Sequence, residues 1–246
     1  MTLQSTQERM RELRLHGMLE ALSHQQSQAS YSGLGFEQRL AHLVDAEQSH
    51  RDTQRLQRLL KSAKLKYSAS PEAIDYRHSR GLDRGLVADL LNCGWIERQQ
   101  NALITGPTGT GKTWLACALG TQAARQGHSV LYKRTGRLLE EMDVAHKDGS
   151  LAKLRGQLVK MKLLVLDDFG LTGLNARGRS DLLEILDDRV GTGSTIMLGQ
   201  MPVKDWHAFI NDPALADAIL DRLIHSSHKL ELKGDSMRKR KSASAK

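Results

Sequence analysis

The sequence Gly106-Pro107-Thr108-Gly109-Thr110-Gly111-Lys112-Thr113 fills every fixed position of the phosphate-binding pattern G-x-x-x-x-G-K-S/T. An apolar run, Ala102-Leu103-Ile104, leads into it, and Trp114-Leu115-Ala116-Cys117-Ala118-Leu119 follows, which is the strand–loop–helix context the motif needs. The glycines let the backbone fold tightly enough for successive N–H groups to face phosphate oxygens. The helix that starts here adds unpaired amides and the positive end of its dipole. Lys112 is placed to reach the β and γ phosphates of ATP, and the Thr113 hydroxyl to ligate Mg²⁺.

Around this loop the chain alternates strand and helix patterns. Val130-Leu131-Tyr132, Leu163-Leu164-Val165-Leu166 and Thr195-Ile196-Met197-Leu198 read as strands. Leu138/Leu139/Met142, Leu151/Leu154/Leu158 and Leu182/Leu183/Ile185/Leu186 read as helices between them. Such alternation predicts an α/β fold, a P-loop NTPase core with a parallel sheet between helical layers. The run Leu163–Leu166 has the continuous apolar character of a strand buried on both faces, and it delivers Asp167-Asp168 to the sheet edge. There Asp167 is expected to hold Mg²⁺, and Asp168 to orient or deprotonate an attacking water.

Upstream, residues 1–66 read as a small all-α domain. It has helices over 1–30 with a break at His16-Gly17, and one long helix or two in tandem over 36–66. Arg51, Arg55, Arg58, Lys61 and Lys64 follow one another at three or four residues, a charge stripe suited to a DNA backbone or to plain solvation. Residues 67–80, with Pro71 and small polar residues, read as a linker. Residues 81–241 read as the ATPase domain, and 242–246 as a basic disordered tail. Trp95 is expected in the core, with stacking on adenine as the other option.

Composition narrows the partners. The chain carries 36 Lys+Arg against 28 Asp+Glu, a net charge of +8. That balance points to a polyanion, with nucleic acid first. No apolar run approaches the roughly 18 residues needed to span a bilayer, so a cytoplasmic protein without membrane contact is expected. Cys93 and Cys117 form no metal-ligand or redox spacing.

The phosphate loop and the Leu163–Asp168 run resemble those of AAA+ ATPases. The phrases Leu215-Ala216-Asp217-Ala218-Ile219-Leu220-Asp221-Arg222-Leu223 and Leu230–Arg238 resemble the IstB group, helper ATPases of bacterial insertion sequences akin to the helicase loader DnaC. Leu13-Arg14-Leu15-His16-Gly17-Met18, and the segment from Ile74-Asp75-Tyr76 to Gly81-Leu82-Asp83-Arg84, match that group too. The resemblance implies a DNA-stimulated ATPase that oligomerises on duplex DNA with ATP sites between subunits and assists a partner transposase. It implies that Arg222 is an arginine finger for a neighbouring subunit and that Arg238 senses the γ-phosphate in cis. After the strand ending at Leu198, AAA+ proteins present a polar sensor residue; here Gly199-Gln200 stands there, leaving Gln200 as the candidate. Two other functions stay open: a helicase loader acting on single strands, and an ATP-dependent DNA-binding scaffold with negligible hydrolysis.

Overall fold

A computed structural model describes residues 2–77, 80–234 and 236–237. Contacts divide the chain into two compact units, Met1–Arg58 and Leu59–Lys246.

The first unit is helical. Helix α1 spans Leu3–Glu12, α2 spans His16–Ser27, and α3 begins at Phe36 and runs unbroken to Ala63. The break between α1 and α2 lies at residues 13–15, where Arg14 takes a φ of 58°, just before the expected position. His16 and Gly17 instead open α2. Gly17 stands there because α3 passes close by: a Cβ on it would lie 2.5 Å from the Ala46 carbonyl oxygen and 2.8 Å from Glu47 Cα. The approach lets the buried Glu47 carboxylate accept the N–H groups of Gly17 (2.8 Å) and Met18 (3.2 Å), capping α2 with a negative charge. Burial alone would raise the Glu47 pKa. The bonds from Arg51, Met18 and Gly17 outweigh it and hold the carboxyl below its usual value.

The second unit is a five-stranded parallel sheet in the order β2-β3-β4-β1-β5 among the described residues. Its strands are β1 (Asn101–Thr105), β2 (Val130–Arg134), β3 (Leu163–Phe169), β4 (Ser194–Gly199) and β5 (Ser227–Glu231). Before the sheet come α4 (Arg84–Leu91), started by the Asp83 side chain on two backbone amides, and a single turn, α5 (Gly94–Glu97). Trp95 sits in that turn, fully buried and donating its indole N–H to the Leu90 carbonyl at 2.9 Å, so it is a core residue. Between strands run α6 (Lys112–Arg125), α7 (Thr135–Asp148), α8 (Leu151–Val159) and α9 (Ala176–Arg189), then α10 (Trp206–Ile210) and α11 (Pro213–Ile224). The core joins Leu103, Leu164, Leu166 and Met197 of the sheet to Leu182, Ile185 and Ile219 of the helices, with Phe169 against Trp206 at a ring separation of 4.7 Å. Arg189 is buried, yet each nitrogen is bonded: Nε donates to Thr195, Nη1 to the Leu158 and Met161 carbonyls, and Nη2 to the Ser194 carbonyl.

Residues 67–80 differ from the linker expected of them. The long helix ends before this stretch, at Ala63 with Lys64 left-handed after it, and the stretch around Ala69 and Ile74 lies on the core. Leu65 packs over Gly120 of α6, Ala69 and Ile74 are buried, and Glu72 pairs with Arg125 at 2.5 Å. Polarity in the sequence concealed these few apolar anchors.

Candidate nucleotide site

The parallel order places β4 between β1 and β3, so the loop after β1 and the acids ending β3 flank one gap at the carboxyl edge of the sheet. Edges of this kind are where open α/β sheets bind ligands. Gly106, Gly109 and Gly111 all carry positive φ, of 139°, 89° and 93°. At Gly111 the left-handed turn is also a close approach, since a Cβ would lie 2.6 Å from Arg80 Nη1. The loop turns directly into α6, whose first residue is Lys112. Its ammonium donates to the carbonyls of Gly106 (2.5 Å) and Pro107 (2.9 Å). Burial pushes its pKa down, and the carboxylates of Asp167 and Asp168 push it back up.

Asp167 and Thr113 meet: the Thr113 hydroxyl donates to Asp167 Oδ2 at 2.9 Å. Two hard oxygen donors of this sort suit Mg²⁺, which uses one or two protein ligands beside phosphate oxygens. Asp167 has further partners, and the sequence did not single out Tyr132 or Lys66 for this role. The Tyr132 hydroxyl donates to Oδ2 at 2.6 Å, the Asp168 N–H donates to Oδ1 at 2.8 Å, and Lys66 Nζ lies 4.0 Å from Oδ2. Burial and the adjacent carboxylate raise the Tyr132 pKa, so the phenol remains a proton donor. A tyrosine in an apolar strand is a weak signal by itself; it becomes legible only once β2 and β3 are known to pair, with Tyr132 opposite Val165.

Asp168 stands where the β3–β4 register shifts between Leu166 and Phe169, and its φ is 62°. A non-glycine residue in this region stores strain, and bulges beside active sites re-aim side chains. The shift separates the two acids: Asp167 stays buried, while Asp168 is partly exposed and 3.5 Å from Arg134 Nε. Asp168 also borders a cleft of about 400 Å³ lined by Arg134, Arg137, Thr172 and Asn175, so it is open to a small reactant such as water.

The other expected residues fall elsewhere. Gly199 lies flat against Trp206, where a Cβ would be 3.0 Å from the indole, which explains the absence of a larger residue there. Gln200 follows, exposed, at the end of β4 in the gap. Arg222 is not near its own phosphate loop. Its carbonyl accepts from Asn101, the first residue of β1, and its guanidinium binds Asp187 of α9 at 2.6 Å. The length of β1, about 13 Å, separates that end of the sheet from the loop. Arg238 lies outside the described residues. Arg51, Arg55 and Arg58 are exposed on α3, with Arg51 tied to Glu47 at 2.7 Å. Lys61 is exposed as well, but Lys64 falls beyond the end of α3 with a φ of 51°, which takes it off the helical spacing.

The family model described as IstB-like ATP binding protein matches residues 8–245. The chain belongs to the IstB-like ATP-binding family. Among its relatives, an insertion sequence ATP-binding protein of Sinorhizobium fredii (strain NBRC 101917 / NGR234) is 45% identical over 95% of this chain and 96% of its own length. One from Pseudomonas fluorescens, of the insertion sequence IS1162, is 50% identical over 82% of this chain and 88% of its own length. Among solved structures, the DnaC helicase loader superposes with a TM-score of 0.58 at 19% identity, covering 70% of this chain and all of that one. The AMPPCP-bound DnaA of Aquifex aeolicus gives 0.58 at 20% identity, over 71% of this chain and 53% of that one. The IstB-like chain thus has the AAA+ P-loop fold, and its family is an ATP-binding one. No helix among the described residues is long and apolar enough to cross a membrane.

Proposed function

We propose that this IstB-like protein is a DNA-stimulated ATPase that assembles on duplex DNA, closes its ATP sites between neighbouring copies, and assists a partner transposase in target selection. One observation carries the reading. Lys112, Thr113, Asp167 and Asp168 gather at one edge of the sheet, while Arg222 lies at the other, so an arginine from this position can reach a phosphate loop only on another copy.

In this account the loop amides and Lys112 bind the triphosphate, and Thr113 and Asp167 hold Mg²⁺. The ion would supply charge neutralisation for the phosphate groups. Asp168 takes the proton of the attacking water as its oxygen bonds to the γ-phosphorus, and the bond to the β-phosphate oxygen breaks to give ADP and phosphate. Arg222, released from Asp187, stabilises the charge on the transferring group of the adjacent subunit. Residues 1–66 serve as the DNA-, partner- or self-association domain, with Arg51, Arg55, Arg58 and Lys61 as phosphate contacts.

Contacts to phosphates alone read no bases and release counterions, so binding is to be insensitive to sequence and steeply dependent on salt. With about four phosphates neutralised, affinity for a duplex oligonucleotide in the presence of ATP falls by roughly 10²-fold between 50 and 200 mM salt. Fluorescence anisotropy on duplex and single-stranded probes of one sequence measures it. A constant unchanged across that range removes the phosphate-contact account. Tighter binding of the single strand replaces the transposition helper with a helicase loader.

A further inference from the structure

Arg80 touches the phosphate loop from outside the motif. Arg80 is 5% exposed, and its guanidinium reaches the back of the phosphate loop. Nη1 donates to the Thr110 carbonyl at 3.0 Å and Nη2 to the Asp75 carbonyl at 3.2 Å. Its Nε is buried with no hydrogen-bond partner among the described residues. Asp75 is the nearby acid, and it accepts both the N–H and the Nε–H of Arg77 on Oδ1. Burial lowers the Arg80 pKa, with Asp75 and Tyr76 opposing it. Arg189, the other deeply buried arginine, has all three nitrogens bonded and serves as a strut. Arg80 is a buried cation only partly satisfied, and such groups cost stability unless a compensating charge arrives.

The charge sits where an anion has most use for it. Thr110 C=O and Gly111 N–H belong to one peptide group, so a cationic donor on the carbonyl polarises the amide and strengthens that N–H as a donor on the opposite face. Amides of this loop are the ones that face phosphate oxygens in the motif. The backbone around Arg80 is fixed as well: its carbonyl accepts from Lys233 at 2.8 Å, and Leu232 N–H donates to Thr105, the residue before the loop, at 2.7 Å. Arg80 is therefore held in register with the loop from behind.

We infer that Arg80 is a positioning residue for nucleotide binding, a buried cation whose cost in the free protein is returned when the triphosphate occupies the loop. This rests on the ATP-binding reading of the site and assigns its affinity in part to a residue outside the motif. Arg80→Met keeps the bulk and removes the charge; Arg80→Lys keeps the charge and loses the fork.

The test uses the full chain. Affinity is read by titrating a fluorescent ATP analogue with Mg²⁺, and thermal melting is followed with and without ATP. R80M is expected to bind the analogue roughly 10- to 100-fold more weakly than the wild type. Its melting temperature without ATP is expected to equal or exceed that of the wild type, and R80K is expected to recover part of the affinity. Unchanged affinity in R80M overturns the inference. So does an R80M chain that melts well below the wild type without ATP, or does not fold, because Arg80 is then a strut like Arg189. The wild-type titration stands apart from these: if it shows no binding, the ATP-binding reading itself fails, while the melts without nucleotide still report whether Arg80 costs or supplies stability.

Discussion

Lys112→Ala lowers ATP turnover by at least roughly 10²- to 10³-fold, the loss that follows removal of one preorganised group facing transition-state charge. Lys112 is 9% exposed and its ammonium is already gathered against the loop, 2.5 Å from the Gly106 carbonyl, so a bound triphosphate gains it without recruiting a solvated side chain. Its charge faces the β and γ phosphates in ground and transition states alike, so affinity for the triphosphate falls along with turnover. Phosphate release and a titration with a fluorescent ATP analogue measure the two losses. A variant that keeps wild-type affinity while losing turnover would place Lys112 in the chemical step alone.

Asp168→Asn separates binding from chemistry. The amide keeps the shape of the side chain and cannot accept a proton from water, so turnover drops by roughly 10²- to 10⁴-fold. Affinity for ATP stays close to that of the wild type, because Asp168 faces Arg134 at 3.5 Å and its carboxylate takes no part in the Thr113–Asp167 contact. If hydrolysis relaxes the assembly, as proposed, particles on DNA persist for longer in this variant. Turnover and disassembly both unchanged in the variant would remove Asp168 from the mechanism and favour an ATP-dependent scaffold.

Most of the P-loop core was legible because its signals are local. The loop glycines, the apolar run ending in Asp167-Asp168 and the alternation of strands and helices each depend on neighbours in sequence. The parts that were not legible depend on contacts across the fold. Tyr132 reaches Asp167 only through the pairing of β2 with β3, and Arg80 reaches Thr110 only because the stretch after α3 lies on the core. Lys66, in that stretch, approaches Asp167 for the same reason. Gly17 looked like a helix breaker, yet it serves close packing against α3, a distinction no local pattern makes. Lys64 fitted the charge spacing but falls past the helix end, where a left-handed residue stops the periodicity. Arg222 was placed by resemblance; its carbonyl meets Asn101 at the end of β1 far from the phosphate loop, a contact no local pattern shows.

The central claim is an ATP site completed between copies on duplex DNA. Its most direct test is ATP turnover measured at one protein concentration without DNA, with duplex and with single-stranded DNA, while particle size is followed by light scattering. The account predicts that duplex and ATP together enlarge the particle and raise turnover, and that Arg222→Ala removes the rise in turnover. Turnover of the same size in a particle that remains a monomer, untouched by duplex or by Arg222→Ala, would contradict it.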